Sequence, residues 1–496
     1  MKKLKDYEEK PQAPSGDKKL KNQKKKRKHS RNREYSLVSW MFILMFTSLI
    51  GYLIYFNVEV SDTFINSPYN TRQDTFSDRV VRGRIISSDG EVLARTNVYE
   101  GGAEERIYPY SNVFAHAVGF DSNGKSGLES EANFQLLSSH EFFLNQMKND
   151  VMGRKNQGDD VITSLSVSMQ TTAYYALGDR RGAVLAMEPD TGRIVAMVSK
   201  PDFDPNTISA NWSYVISDKN DSSLLNRATN GAYPPGSTFK VVTALDYYRR
   251  HGTLEGFSYT CEGTITRGDN SIHCYGNTVH GSENLYSAFA NSCNCAFADM
   301  GIELGGASLR STAEDLLFNK KLPFDSYKSS TFSLDGAGST PLVMQTAIGQ
   351  GDTLVSPAHM ALITCAVANG GTIVKPTLID KVVSADGETV SETVPSVSGR
   401  IMSGTEAELL QGLMKSVVDY GTASALSGRS YFAAGKTGSA EFNEQGGSHS
   451  WFIGYCGKEK PDLVVSIIVE NGGTGSESAV PIASQLFETY YSGYGF

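Results

Sequence analysis

The 496-residue chain lacks several features that would assign it at once to a class of protein. It has no convincing internal repeat of 20–50 residues, which excludes solenoid and propeller architectures. His140-Glu141 begins like a zinc-protease motif, but the second histidine of that motif is missing. Positive charge is scarce after the first 34 residues, which carry a net +9, so the rest of a chain of net charge −8 carries −17. A basic tail of this kind suits nucleic acid, anionic lipid or membrane topology.

Charge and proline are both absent from Leu37 to Phe56, and this stretch decides between the three readings. Its twenty residues are enough to cross a bilayer, and Trp40, Tyr52 and Tyr55 lie near its ends, where amphipathic rings suit the interface. The positive-inside rule places residues 1–34 in the cytoplasm and the remainder outside. We therefore expect a single-pass cell-membrane protein with a cytoplasmic N-terminus, and no nucleic-acid partner.

Composition divides the chain into four expected parts. They are a basic tail without stable structure (1–34), a transmembrane helix (35–57), a small N-terminal pedestal domain (58–155) and a large C-terminal domain (156–496). Strand candidates flank a long helical middle in the large domain: Ala183–Met187, Ile194–Val198, Tyr431–Phe442, Trp451–Cys456 and Leu463–Val469. This order predicts one antiparallel sheet packed by helices, an α+β fold.

Three short motifs carry the chemistry. Ser237 follows two prolines and precedes Lys240 by three residues, which puts both side chains on one face of a predicted helix. Serine is a weak nucleophile until a neighbouring base takes its proton. Ser292-Cys293-Asn294 and Lys436-Thr437-Gly438 follow in that order. Each motif recurs by chance elsewhere in the chain, so the order, the spacing and the flanks are what make the set specific.

This ordered set occurs in β-lactamases and penicillin-binding proteins, and the chain resembles the class B penicillin-binding proteins, most closely the smaller penicillin-binding protein A type. Further stretches from roughly residue 80 to the C-terminal end are similar to that family: Arg82-Gly83-Arg84-Ile85, Asp89-Gly90-Glu91-Val92-Leu93-Ala94, Gly127-Leu128-Glu129, Asp204-Pro205-Asn206, Gly349-Gln350-Gly351 and His449-Ser450-Trp451-Phe452. The chain has no room for a glycosyltransferase domain before Ser237, which separates class B from the bifunctional class A proteins.

The resemblance implies a D,D-transpeptidase that cross-links peptidoglycan stem peptides through an acyl-Ser237 intermediate and is inhibited by covalent binding of penicillin. It implies catalytic roles for Ser237, Lys240, Ser292, Asn294 and Lys436, and substrate contacts for Thr437, Gly438 and Ser439. The backbone N–H groups of Ser237 and Ser439 would form the oxyanion hole. Many relatives have threonine at the position of Ser439, which puts only fine specificity in question.

Other functions remain open on the same scaffold. A D,D-carboxypeptidase or a β-lactamase would use the same acyl-serine intermediate. A non-catalytic β-lactam sensor or scaffold would bind the β-lactam without catalysing a reaction on peptidoglycan. The resemblance also implies a membrane-embedded glycan polymerase as partner in the machinery of cell shape or cell division. It does not distinguish elongation, division and sporulation.

Two further patterns do not predict sites. Gly119 to Ser126 fits a phosphate-binding loop, but the expected topology places it outside the cell, and Lys125 and Ser126 run into Gly127-Leu128-Glu129. The six cysteines include Cys261 and Cys274, which bracket a polar loop, and a disulfide between them is left open. Cys293 and Cys295 lie near His273 and His280, but C-x-C is not the usual zinc spacing. We therefore expect no metal and no cofactor.

Overall fold

The computed structural model describes residues 17–60, 77–217, 222–323, 328–334, 338–441 and 447–493. The described part of its first unit, Met1–Ser67, consists of one long helix, Asp17–Tyr55, followed by a π-helical turn, Phe56–Val60. Within this helix Arg33–Tyr55 is long and apolar enough to cross a membrane, with a mean hydropathy of 2.1. The predicted apolar span is therefore helical over the expected stretch.

The basic tail differs from the expectation that it would lack structure. The helix begins at Asp17, so the second half of the tail continues the apolar span as one helix. Lysine and arginine are good helix formers, and no glycine or proline interrupts the chain between Asp17 and Ile50. The prediction rested on the high lysine content and the few aromatic residues, and it did not weigh helix propensity. Residues 1–16 lie outside the described residues.

The second unit, Pro68–Phe496, contains two larger sheets. The order of strands in the six-stranded sheet is Thr389–Glu392, Ile379–Val383, Asp160–Thr163, Ile85–Ile86, Val92–Val98 and Glu104–Ile107. The hairpin predicted at Asp89-Gly90 is confirmed, since Ile85–Ile86 pairs antiparallel with Val92–Val98 and Gly90 takes a left-handed φ of 87°. Two of the six strands come from far along the chain, so this sheet joins segments on both sides of the expected boundary at residue 155.

A buried ion cluster holds this region together. Glu129 is fully buried and lies 2.6 Å from Arg82 and 2.8 Å from Arg106, while Arg82 also donates to the side-chain oxygen of Asn133. Burial by itself would raise the pKa of Glu129, but the two guanidinium groups outweigh it and lower that pKa. Arg82, from the stretch Arg82-Gly83-Arg84-Ile85, therefore contacts Glu129, from the stretch Gly127-Leu128-Glu129. This contact gives the two stretches a shared structural role.

The five-stranded sheet carries the candidate site at one edge. Its strands run antiparallel in the order Phe432–Glu441, Ser448–Gly457, Pro461–Val469, Gly182–Met187 and Ile194–Lys200. Helices Val167–Leu177 and Gly475–Gly493 pack on each other and on this sheet, and Pro357–Ala368, buried along its whole length, packs on it as well. The predicted α+β arrangement is confirmed.

The remaining helices fill the space around this sheet and the six-stranded one. Between the strands Glu104–Ile107 and Asn156–Gln157 the chain contains the helices Ala115–Val118, Gly127–Glu131, Asn133–Leu136 and Phe143–Val151. The long middle region contains Ile208–Ser217, Arg227–Asn230, Lys240–His251, Leu285–Ala290, Asn294–Leu304, Gly306–Asp315, Thr340–Ala347 and Gly404–Asp419. Short strand pairs connect them: Val80–Val81 with Asn156–Gln157, Tyr259–Cys261 with Gly281–Glu283, Thr264–Arg267 with Asn270–His273, and Thr372–Val374 with Val397–Arg400.

The Glu129 cluster gives a prediction about stability. Glu129→Gln removes the carboxylate between two buried arginines, and breaking such a pair typically costs about 3–5 kcal/mol. We expect a clear fall in the urea midpoint of the detergent-solubilised chain. The matched control is Asp419→Asn, which breaks an exposed pair with Lys415 worth about 0–1 kcal/mol. Equal midpoints for the two variants would contradict a structural role for the cluster.

Candidate active site

Ser237 lies in a tight turn at the entry of a helix, as its flanks predict. The 3₁₀ turn Gly236–Phe239 leads directly into helix Lys240–His251, and Ser237 itself is half-buried. Gly236 has a φ of +53°, and its N–H donates to the carbonyl of Gly349 at 2.9 Å. A Cβ on Gly349 would lie 1.9 Å from the carbonyl oxygen of Gly236. Only glycine fits there, because the backbones touch.

Lys240 is fully buried beneath this turn. Its Nζ donates to the carbonyl of Ser292 at 2.7 Å, to Oδ1 of Asn294 at 2.7 Å and to Oγ of Ser292 at 3.2 Å. These three acceptors match the three donors of an ammonium group. The amine is thus directed to Ser292 and Asn294 rather than to Ser237.

Lys436 approaches the same hydroxyl from the sheet. It lies on strand Phe432–Glu441, is fully buried, and donates from Nζ to Oγ of Ser292 at 2.8 Å and to its neighbour's carbonyl, Thr437 O, at 2.9 Å. Ser292 occupies the bend between helices Leu285–Ala290 and Asn294–Leu304 with a left-handed φ of 56°. Its hydroxyl therefore connects two lysine amines from distant parts of the chain.

It is unfavourable for both buried amines to be protonated at the same time. Burial lowers the pKa of Lys240 from its ordinary value to about 8. Burial also lowers the pKa of Lys436, and the charge of Lys240 lowers it further. The resemblance implies that Lys240 is the amine that becomes neutral. An anionic carboxylate beside Lys436 would favour the charged form of that second amine.

Strand Phe432–Glu441, which carries Lys436, also packs against the serine turn, Gly236–Phe239. A Cβ on Gly236 would lie 2.8 Å from the carbonyl oxygen of Ser439, and one on Gly438 would lie 3.3 Å from that of Pro235. The indole of Trp451, on the neighbouring strand, donates to the carbonyl of Pro234 at 3.0 Å. The strand carrying Ser439 is thereby held beside Ser237.

Several contacts around the site were not found by sequence reasoning. Thr422 exchanges a hydroxyl hydrogen bond with Thr437 at 2.5 Å, and its own N–H donates to the carbonyl of Ala290. The amide nitrogen of Asn294 donates to the carbonyl of His273 at 2.9 Å. Nothing in the sequence distinguishes Thr422 from other threonines that follow a helix. A contact through a backbone carbonyl, such as that of His273, does not depend on residue type and cannot be predicted from the sequence.

A partly buried carboxylate secures the chain that leads to the nucleophile. Glu470 accepts from Tyr233 at 2.8 Å, from Arg227 at 2.8 Å and from Arg181 at 3.1 Å. Burial alone would raise the pKa of Glu470, but these donors outweigh it and lower that pKa. The sequence held no sign of this cluster, because its members are spread over nearly 300 positions.

The phosphate-loop pattern does not have the context that such a loop needs. Gly119 follows helix Ala115–Val118 instead of a strand, and the helix after the pattern, Gly127–Glu131, is only five residues long. Its glutamate belongs to the ion cluster with Arg82. The six cysteines are all free, and the sulfurs of Cys261 and Cys274 are 3.6 Å apart.

Residues 182–488 match the penicillin binding protein transpeptidase domain, and residues 82–161 match the penicillin binding protein A dimerisation domain. Peptidoglycan D,D-transpeptidase PbpA of Mycolicibacterium smegmatis is 30% identical over 431 residues, which cover 80% of this chain and 86% of that protein. The structure of a D,D-transpeptidase domain from Eggerthella lenta superposes with a TM-score of 0.76 at 31% identity, covering 84% of this chain and 99% of that one. Penicillin-binding protein A of M. tuberculosis, solved as a ceftriaxone acyl-enzyme complex, superposes with a TM-score of 0.75 at 30% identity, covering 84% and 99%.

The match to the transpeptidase domain spans more than half of the chain, and it contains all three motifs. The chain therefore belongs to the penicillin-binding proteins, as a member of their class B. The resemblance inferred from the motifs and the fold that it implied are both confirmed.

The buried lysine gives a prediction about pH. If neutral Lys240 takes the proton from Ser237, the second-order rate of acylation by penicillin should rise with pH and level off above about 8. The neutral fraction of an amine with that pKa falls about fiftyfold between pH 8 and pH 6, so we expect a loss of similar size. Lys240→Arg, which cannot lose its proton, should be inactive throughout. A flat profile between pH 6 and pH 9 would contradict Lys240 as the base.

Proposed function

We propose that the chain is a peptidoglycan D,D-transpeptidase whose nucleophile is Ser237. The observation that carries the proposal is the hydroxyl of Ser292, which lies within hydrogen-bonding distance of both Lys240 and Lys436, and Lys240 directly follows the turn that carries Ser237. This arrangement suits a reaction in which a proton leaves one oxygen and is later delivered to a nitrogen. The names of the relatives, peptidoglycan D,D-transpeptidases, support the same activity.

In the acylation step, Ser237 Oγ attacks the carbonyl carbon of the penultimate D-Ala of a donor stem peptide, and neutral Lys240 accepts the serine proton. The carbonyl oxygen becomes an oxyanion, for which the N–H groups of Ser237 and Ser439 are the proposed donors. When the amide bond breaks, the terminal D-Ala leaves as an amine. It receives a proton through the Ser292 hydroxyl, which contacts both lysines.

The remaining motif residues bind and orient the donor. Lys436 supplies positive charge for the terminal carboxylate of the stem, and Thr437 and Ser439 supply hydroxyls beside it. Gly438 leaves room for the close approach of strand and turn. Asn294 orients Lys240 through Oδ1 and presents an amide near the donor backbone.

The acyl-enzyme is resolved by an amine of a second stem peptide, which restores the serine and forms the cross-link. In class A β-lactamases, a glutamate on a loop directs water at the acyl ester, and no segment of this sequence resembles that loop. An amine held in place by binding then competes well with water. β-Lactams follow the first step only, and M. tuberculosis penicillin-binding protein A has been solved as acyl-enzymes with penicillin G, imipenem and ceftriaxone.

We also propose the expected topology, in which the basic segment is cytoplasmic, Arg33–Tyr55 spans the cell membrane and the catalytic unit is extracytoplasmic. A membrane-embedded glycan polymerase of the shape or division machinery is the proposed partner, because a transpeptidase needs newly made glycan strands close by.

The fate of the acyl group separates a transferase from a hydrolase. We expect a penicilloyl adduct on Ser237 that persists for many minutes and is absent from Ser237→Ala, as read by intact and peptide mass spectrometry. With a D-Ala-D-Ala-type thioester, added D-amino acid should increase product formation. Rapid turnover of penicillin that ignores the acceptor would identify a hydrolase, and an adduct on another residue would refute the nucleophile.

Topology is tested with external protease on protoplasts. We expect only a small fragment containing residues 1–56 to survive, detected through an N-terminal epitope tag, because the rest of the chain would be accessible. A cytoplasmic marker protein controls for lysis. Survival of the region around Ser237 would contradict the proposed orientation.

A further inference from the structure

Three cysteines and one histidine converge beside the proposed catalytic loop. The ligand atoms of Cys261, Cys274, His280 and Cys293 all lie within 4.8 Å of one another. The three thiols are buried and His280 is half-buried. They come from three separate segments: the end of strand Tyr259–Cys261, the stretch that follows strand Asn270–His273, and the residue that caps helix Asn294–Leu304.

Three of the six distances between these atoms are close to the edges of a tetrahedron around a zinc ion, and the ligand atoms of all four residues lie within 4.8 Å of one another. The sulfurs of Cys261 and Cys274 are 3.6 Å apart, those of Cys274 and Cys293 are 3.7 Å apart, and Nδ1 of His280 is 3.4 Å from the sulfur of Cys261. Zinc bonds of about 2.3 Å to sulfur and 2.0–2.1 Å to nitrogen give tetrahedral edges of about 3.8 Å and 3.5 Å. A disulfide would need about 2.05 Å.

The surroundings of the sulfurs suit thiolate ligands. The N–H of Gly263 donates to the sulfur of Cys261, and the N–H of Ala296 donates to the sulfur of Cys293, each at 3.4 Å. Hydrogen bonds of this kind orient metal ligands and stabilise their negative charge. Cys295, 3.5 Å from the sulfur of Cys274, lies outside the four-ligand set and next to it.

We propose that Cys261, Cys274, His280 and Cys293 bind one zinc ion in a closed, structural site. Three thiolates and an imidazole in tetrahedral arrangement are a ligand set that zinc favours. On binding, each of the three thiols gives its proton to solvent, and the imidazole binds in its neutral form. The C-x-C spacing argued against a metal in the sequence because that argument assumed neighbouring ligands, whereas the fold takes only one ligand, Cys293, from the pair.

The position of the site gives the ion a task in catalysis. Cys293 stands between Ser292 and Asn294, the two residues that bond Lys240. Cys274 follows His273, whose carbonyl accepts from the side chain of Asn294. A zinc ion would therefore fix the Ser292–Asn294 loop to the hairpin Thr264–His273. Cys293 is a positioning residue, and this part of the inference rests on the proposed function, while the metal binding does not.

Metal content tests the site directly. The full chain, purified in detergent and reductant and incubated with equimolar zinc, should retain about one zinc per chain by elemental mass spectrometry. Cobalt substitution should give the strong visible bands of a tetrahedral thiolate site. Cys261→Ala and Cys293→Ala should lose the metal, whereas Cys365→Ala and Cys456→Ala, buried cysteines elsewhere in the fold, should retain it.

Two outcomes would overturn the site: zinc retained equally by Cys261→Ala and Cys293→Ala, or less than a tenth of an equivalent in the unaltered chain. An intact mass lower by two or four daltons, with the matching thiols lost, would identify disulfides instead. Cys261→Asp, which keeps an oxygen ligand for zinc, guards against misreading a variant that fails to fold. It should retain metal where Cys261→Ala does not.

Acylation tests the positioning role separately. Removing zinc with a chelator should slow penicillin acylation at least tenfold, and zinc or cobalt should restore it, while the pH at which the rate levels off shifts because the partners of Lys240 have moved. An unchanged rate and pH profile after complete metal removal would overturn the positioning role. Failure of the transpeptidase assay alone would leave the metal stoichiometry unchanged, so the two proposals fail distinguishably.

Discussion

Two lysine amines buried on either side of one serine hydroxyl constrain the rest of the site. Lys240 and Lys436 have no exposed surface, so every donor that their amines keep has to find an acceptor within the protein. Ser292 supplies two of these acceptors, its carbonyl and its hydroxyl. It does so in a left-handed conformation that costs a non-glycine residue about 1–3 kcal/mol. Surrounding contacts have to maintain that conformation, and Asn294, His273 and the thiols all lie around it.

The same requirement explains why the motif-bearing segments pack so closely. The serine turn, the edge strand of the five-stranded sheet and the Gly349 loop meet with backbone against backbone, which leaves no space for side chains. Gly236 and Gly349 are therefore needed for shape, and Trp451 fixes the same turn from the neighbouring strand. Close packing of the backbone therefore sets the distance between Ser237 and the strand that carries Ser439.

Much of this could be predicted from the sequence, because periodic patterns and ordered motifs are local or nearly so. The hairpin at Asp89-Gly90, the strands that flank the helical middle and the helix after Ser237 all follow from turn residues and apolar runs. Contacts assembled from distant segments could not be predicted in this way. Glu470, Thr422 and the four-ligand cluster leave no fixed spacing in the chain, and the cysteines were judged by a spacing rule that the fold does not follow. The prediction that the basic tail lacks stable structure failed for another reason, since lysine content and the few aromatic residues were weighed and helix propensity was not.

The six-stranded sheet has a consequence for the order in which the chain can acquire structure. Strand Asp160–Thr163 lies between Ile85–Ile86 and Ile379–Val383, and the outermost strand ends at Glu392. The first strands are made early in synthesis, yet their sheet cannot be completed until more than two hundred further residues have been made and, on the proposed topology, have crossed the membrane. During that interval the emerging chain carries an unpaired strand edge next to apolar side chains, the kind of surface that aggregates and that chaperones recognise.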